Sequence, residues 1–225
     1  MREDRETHHM PRAPLLHPRD LLAAIGLLTI VPLARPAPRS EAFARATLWF
    51  PCVGLLLGTV LAAANWTVVS RLPPWVSSVL LVAIWEALTG HNGAPAVPRL
   101  VAMLIKIVGL AVAPAARPAA LLFAPLLARW GMVVLATGGR GADTPGRKFN
   151  AAITFRDFAL TSAFTLAVVF TVAEAFGILI VVCAGALALG LRLYAHRCAG
   201  GISWPFLVTG MLGFEALVVA VCAIL

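Results

Sequence analysis

The chain predicts an all-α, polytopic membrane bundle, and three observations lead there. Of its 225 residues, 60% are hydrophobic and 12% charged, with a mean hydropathy of +0.91; a soluble domain is roughly 45–50% apolar and about 25% charged. The apolar residues come in runs near the ~20 residues that a helix rising about 1.5 Å per residue needs to cross hydrocarbon. Lys and Arg, finally, concentrate in alternate connections between those runs, the bias expected of cytoplasmic loops.

Residues 1–20, MREDRETHHMPRAPLLHPRD, mix four arginines with four acids and lack the apolar core of a cleaved signal, so they read as a solvated cytoplasmic tail. Residues 21–225 then form a single transmembrane domain. The run 21–33, LLAAIGLLTIVPL, is too short to span and ends at Val31-Pro32, which suits a re-entrant or interfacial helix. Seven crossings follow, over 47–70, 72–90, 99–116, 118–137, 157–175, 176–195 and 203–225. The last division but one is placed near Glu174-Ala175-Phe176-Gly177, because 157–195 is too long for one crossing.

With connection 34–46 in the cytoplasm, 91–98, 138–156 and 196–202 fall on the same side. That side, with adjoining helix ends, carries Arg35, Arg39, Arg45, Arg99, Arg140, Arg147, Lys148, Arg156, Arg192 and Arg197, and the opposite side Arg71 and Arg117. The net charge of +8 therefore points to membrane lipid rather than nucleic acid, since no soluble basic face accompanies it. Cys52, Cys183, Cys198 and Cys222 are far apart and form no CxxC pair, so they read as ordinary thiols.

Charges inside spans are costly, about 2.5–3.5 kcal/mol at a helix centre on insertion scales. Glu86, Lys106, Arg129 and Glu215 all fall inside them. Glu86 and Lys106 sit on neighbouring spans and are placed to pair across an antiparallel hairpin; Arg129 is placed to meet Glu215 or Glu86. A neutralised structural cluster and a transport path both follow from such charges. The connection 138–156 carries four cations, with Asp143 as its one acid before the next helix. Its Arg140, Arg147 and Lys148, together with glycine-rich backbone amides, suit a phosphate or diphosphate, and suit a ligand-free positive-inside loop equally.

Several stretches, taken in order, resemble one family. Arg45 to Gly58, RATLWFPCVGLLLG, is similar to the first full span of cobalamin synthase, the membrane-bound adenosylcobinamide-GDP ribazoletransferases. LLTIVP at 27–32, MLIKIVGL at 103–110, APLLARWGMVVLA at 124–136 and Gly200-Gly201 followed by Glu215 resemble further family segments in the family's order. The resemblance implies a bacterial inner-membrane enzyme that joins adenosylcobinamide-GDP to α-ribazole, gives adenosylcobalamin and GMP, and uses Mg²⁺. It implies corrinoid and nucleotide ligands and partner proteins of the same pathway.

The family's acids come chiefly from a HLDGLADTxDG loop after the second full span. In that place this chain has Thr89-Gly90-His91-Asn92-Gly93, without the aspartates, and no acid occurs between Glu86 and Asp143. After Gly200-Gly201 the family's threonine-glycine-aspartate reads Ser203-Trp204-Pro205, and its first glutamate of the last helix falls on Leu212, leaving Glu215. Carried over residue by residue, catalytic groups fall on His91, Asn92 and Glu215, a weak Mg²⁺ site on Asn92 and Glu215, and close ligand approach on Gly200 and Gly201, while the diphosphate contacts fall to the basic connection's own Arg140, Arg147 and Lys148. Neutral oxygens among arginines hold Mg²⁺ poorly, so the expectation is a ribazoletransferase homologue with a degraded magnesium site. The alternatives are a non-catalytic homologue that binds a corrinoid or a partner enzyme, and a small transporter.

Overall fold

A computed structural model describes residues 18–31, 45–67, 71–89 and 94–224. The tail 1–17, most of connection 34–46, and His91 and Asn92 lie outside the described residues. Within them the protein is all-helical: α1 (Pro18–Leu28), α2 (Phe50–Thr67), α3 (Pro74–Thr89), α4 (Ala96–Val112), α5 (Arg117–Ala136), α6 (Thr144–Ala152), α7 (Phe155–Arg197) and α8 (Trp204–Ile224), with a 3₁₀ turn at Pro114–Ala116. Four segments are long and apolar enough to cross a membrane by length and composition: Arg45–Thr67, Pro114–Ala136, Phe155–Arg197 and Trp204–Ile224.

α3 and α4, with 16 and 17 residues, fall short of the expected crossings at 72–90 and 99–116. Both are trimmed by proline: Pro74 opens α3, and Pro95 precedes α4 with extended backbone. α1, 11 residues long, is the short entering helix. It ends beside the last turn of α3, where the Ile30 amide donates to the Leu88 carbonyl at 3.0 Å.

α7 runs for 43 residues but is broken at Glu174, whose φ of 47° and ψ of −125° lie outside the helical region. The break is a reversal. An ideal Cβ on Gly177 would come within 3.1 Å of the Val169 carbonyl, a contact impossible along one straight helix, where eight residues span about 12 Å. The chain therefore turns back where the sequence places a division, and both halves flank α5: Trp130 Nε1 donates to Ser162 Oγ at 3.0 Å, and Arg192 Nη1 to the Val134 carbonyl at 3.4 Å.

α5 is the axis of the bundle and is buried along nearly its whole surface. Pro125 inside it cannot donate to the Leu121 carbonyl. Across from this break α2 presents Gly54 and Gly58, a small-xxx-small ridge that lets two backbones approach closely. A Cβ on Gly54 would lie 2.5 Å from the Pro125 carbonyl oxygen, and one on Gly58 2.6 Å from that of Leu122. Gly131 fills the same role against the Phe214 ring of α8.

These contacts fix the helix directions. Arg117, at the start of α5, donates to Ser77 Oγ and to the Pro74 carbonyl at the start of α3, so the beginnings of α3 and α5 share one end. At the other end the segments after α5 and α7 join: Ile202 N donates to the Arg140 carbonyl at 2.7 Å, Ala142 N to the Ile202 carbonyl at 3.0 Å, and Gly141 and Ile202 form an isolated parallel bridge.

Candidate functional site

Five ionisable side chains from four helices meet in the interior, toward the end that holds the basic connections. Lys106 of α4 donates from Nζ to Glu86 Oε1 of α3 at 2.6 Å and to Glu215 Oε2 of α8 at 3.0 Å. Arg129 of α5 donates from Nη1 to Glu215 Oε1, which also accepts from Trp85 Nε1 at 3.2 Å. Arg99 donates from Nε to Glu86 Oε2 at 3.0 Å. The Lys106 ammonium lies 4.5 Å from the centre of the Trp85 ring, a cation–π contact. Lys106, Arg129 and Glu215 have no solvent-exposed surface and Glu86 is 6% exposed, whereas the Arg99 side chain is 39% exposed.

Every oxygen of the two carboxylates thus faces a cation, and the four buried members carry two charges of each sign. Burial of isolated charges would cost several kcal/mol each; mutual pairing is what lets this cluster form. Glu86 pairs with Lys106 across the hairpin, Arg129 takes Glu215 of the two partners left open to it, and Lys106 links the pairs into one network. The network is incomplete at one point. Arg129 Nε and Nη2 are buried without an acceptor, at a cost of about 1–3 kcal/mol for each unsatisfied donor.

The basic connection is organised differently from its expected loop. Asp143 caps a short helix, α6, its Oδ1 accepting from Gly146 N at 2.6 Å, and Thr144-Pro145 supplies the first turn. The same carboxylate accepts from Trp204 N at 3.0 Å through Oδ2, so it caps α8 as well. One of the connection's amides expected to meet a diphosphate, that of Gly146, is therefore already bonded to Asp143. Arg140, Arg147 and Lys148 are exposed around this double cap.

The glycine pair divides its roles. Gly201, at φ 136°, is buried, and a Cβ there would lie 2.6 Å from the Arg140 carbonyl oxygen; Gly200, at φ 67°, faces open space. Ligand approach is thus geometrically open at Gly200 and closed at Gly201. His91 and Asn92 lie outside the described residues. Sequence reading had not placed Trp85 and Arg99 in the site, although an indole one residue before Glu86 and a cation at the start of the next helix were visible signals.

Fold and site together define a class: a helical membrane protein with a basic end and a neutralised charge cluster beneath it. The family model described as CobS, cobalamin-5-phosphate synthase, matches residues 20–94 and 91–203. The chain belongs to that family. An adenosylcobinamide-GDP ribazoletransferase of Pseudomonas aeruginosa (strain UCBPP-PA14) is 42% identical over 73 residues, 32% of this chain and 29% of that protein. Its counterpart in Pseudomonas paraeruginosa is 32% identical over 151 residues, 52% of this chain and 61% of the relative. One in Brevibacillus brevis is 30% identical over 69 residues, 31% and 28% of the two chains. The chain spans at most 61% of the length of these relatives. No solved structure matches it.

Proposed function

We propose that the protein is a membrane transferase of the adenosylcobinamide-GDP ribazoletransferase type, with seven crossings and its basic end in the cytoplasm. One observation carries the reading: the family match runs from α1 through the charge cluster on α3, α4 and α5 to both connections that build the basic end. In this reading Arg140, Arg147 and Lys148 draw in the diphosphate ester by charge-assisted hydrogen bonds. The exposed Gly200 leaves room for the ligand beside them. Asp143 positions all of these groups by joining the starts of α6 and α8.

The Mg²⁺ that the family implies would need carboxylates. Among the described residues no three of His, Cys, Asp and Glu converge on a metal-sized space. Their acids are already engaged: Asp20 with Arg45, Glu86 and Glu215 in the cluster, Asp143 as a double cap, and Asp157 in the capping box with Thr154 that opens α7. Glu174 stands at the opposite end. The described residues therefore do not fit the ion. A degraded magnesium site is consistent with the two family-matched segments meeting at 91–94, where the aspartate-rich loop would stand.

The same engagement of the acids favours one second reading, a homologue that binds the corrinoid nucleotide without turning it over. Purified protein given adenosylcobinamide-GDP, α-ribazole and Mg²⁺ separates the two. Release of GMP supports the transferase, binding without release selects the second reading, and neither result removes both. The mutual pairing of Glu86, Lys106, Arg129 and Glu215 counts against the transport reading.

A further inference from the structure

We infer that Arg129 is an oxyanion-binding residue and that its unpartnered Nε–Nη2 edge receives a phosphoryl group. The guanidinium is planar, and its Nε–H and Nη2–H point the same way, forming the two-pronged face that matches two oxygens of one phosphate. In this protein Nη1 is committed to Glu215, while the two nitrogens of the other edge are both buried and both without an acceptor. Because the two donors point the same way, a single oxyanion set opposite that edge would satisfy both. Arg129 has no solvent-exposed surface, so bulk water does not satisfy that edge.

The surroundings favour an anion from the basic end. Arg129 lies seven residues before Ala136, the end of α5, roughly 10 Å along the axis. The cluster reaches the surface through Arg99, whose side chain is partly exposed, and Lys106 adds a second buried cation joined to the same Glu215. Glu215 holds the guanidinium in place and sets its orientation, while partly offsetting its charge. The identity of the anion rests on the transferase reading, in which a diphosphate ester arrives at this end; the oxyanion site itself does not.

The test uses purified full-length protein in phosphatidylcholine nanodiscs, titrated separately with pyrophosphate and with adenosylcobinamide-GDP. Arg129→Lys keeps the charge beside Glu215 but loses the fork, and should weaken binding of the anion by about tenfold or more. Glu215→Gln removes the neighbouring negative charge and should tighten it severalfold. If Arg129→Lys does not survive purification, the sign of the Glu215→Gln effect decides. Binding of both probes with these opposite shifts supports the site and its proposed substrate. Pyrophosphate responding to both variants while adenosylcobinamide-GDP fails to bind keeps the oxyanion site and removes the transferase reading. Phosphatidylglycerol competing with pyrophosphate would assign the phosphoryl group to lipid. Neither probe binding, or affinities indifferent to both substitutions, would overturn the inference and leave that edge to a trapped water.

Discussion

Lys106 holds Glu86 at 2.6 Å across the α3–α4 hairpin, with the ammonium wholly enclosed and its second bond reaching Glu215 on the last helix. One nitrogen therefore ties two consecutive helices to a third that follows more than a hundred residues later. Lys106→Met should lower the thermal midpoint in detergent by on the order of 10 °C, because breaking a buried ion pair costs about 3–5 kcal/mol. Replacing Glu86 by Gln in the same chain should recover part of that loss, since the two effects are coupled. Equal midpoints for wild type and Lys106→Met would show that the ammonium does not hold the bundle.

The glycine ridge of α2 gives a steric prediction. Gly58→Val places a branched side chain where the α5 backbone already stands. Overpacking of this kind costs about 1–3 kcal/mol. Gly185→Val is the control, because nothing lies within 4 Å of a Cβ there. A lower yield of monodisperse protein is expected for the first and not for the second; comparable elution profiles would count against close α2–α5 packing.

Asp143 serves two helix starts, so Asp143→Ala should act on both. Loss of one cap costs about 0.5–2 kcal/mol. The expected signature is faster tryptic cleavage after Arg140, Arg147 and Lys148, which are already exposed. Asp143→Asn should fall between the two, since an amide oxygen still accepts one amide. Unchanged digestion of the alanine variant would mean that the backbone bridge between Gly141 and Ile202 alone holds these segments.

The reversal in α7 predicts which face of the membrane its parts see. Cys198 is exposed at the basic end and should react with a membrane-impermeant maleimide only in inside-out vesicles. In a Cys198→Ser background, Glu174→Cys should react only from the opposite side. Labelling of both positions from one side would rule out the seven-crossing topology.

Some of this architecture was legible in the chain and some was not. Four intramembrane charges announced themselves because each is expensive alone, and their mutual pairing follows from that expense. The choice of partner was less visible: Arg129 and Glu215 lie 86 residues apart, and only the opposed courses of α5 and α8 bring them to one height. The turn near Glu174 could be read from length, since no single crossing needs 43 residues. α6 was missed although Asp143-Thr144-Pro145 is a good helix start, because glycines and cations around it read as a loop. The joining of Arg140 to Ile202 carries no signal in either segment by itself.

Glu174 has a consequence beyond the turn it occupies. A carboxylate at the tip of a lipid-facing hairpin resists entry into hydrocarbon by about 2.5–3.5 kcal/mol on insertion scales, so it acts as a float that keeps the tip at the water boundary. In a thicker bilayer the two arms must straighten or drag the boundary inward, and the strain falls on Glu174, whose φ is already positive, alone among the described residues other than glycine.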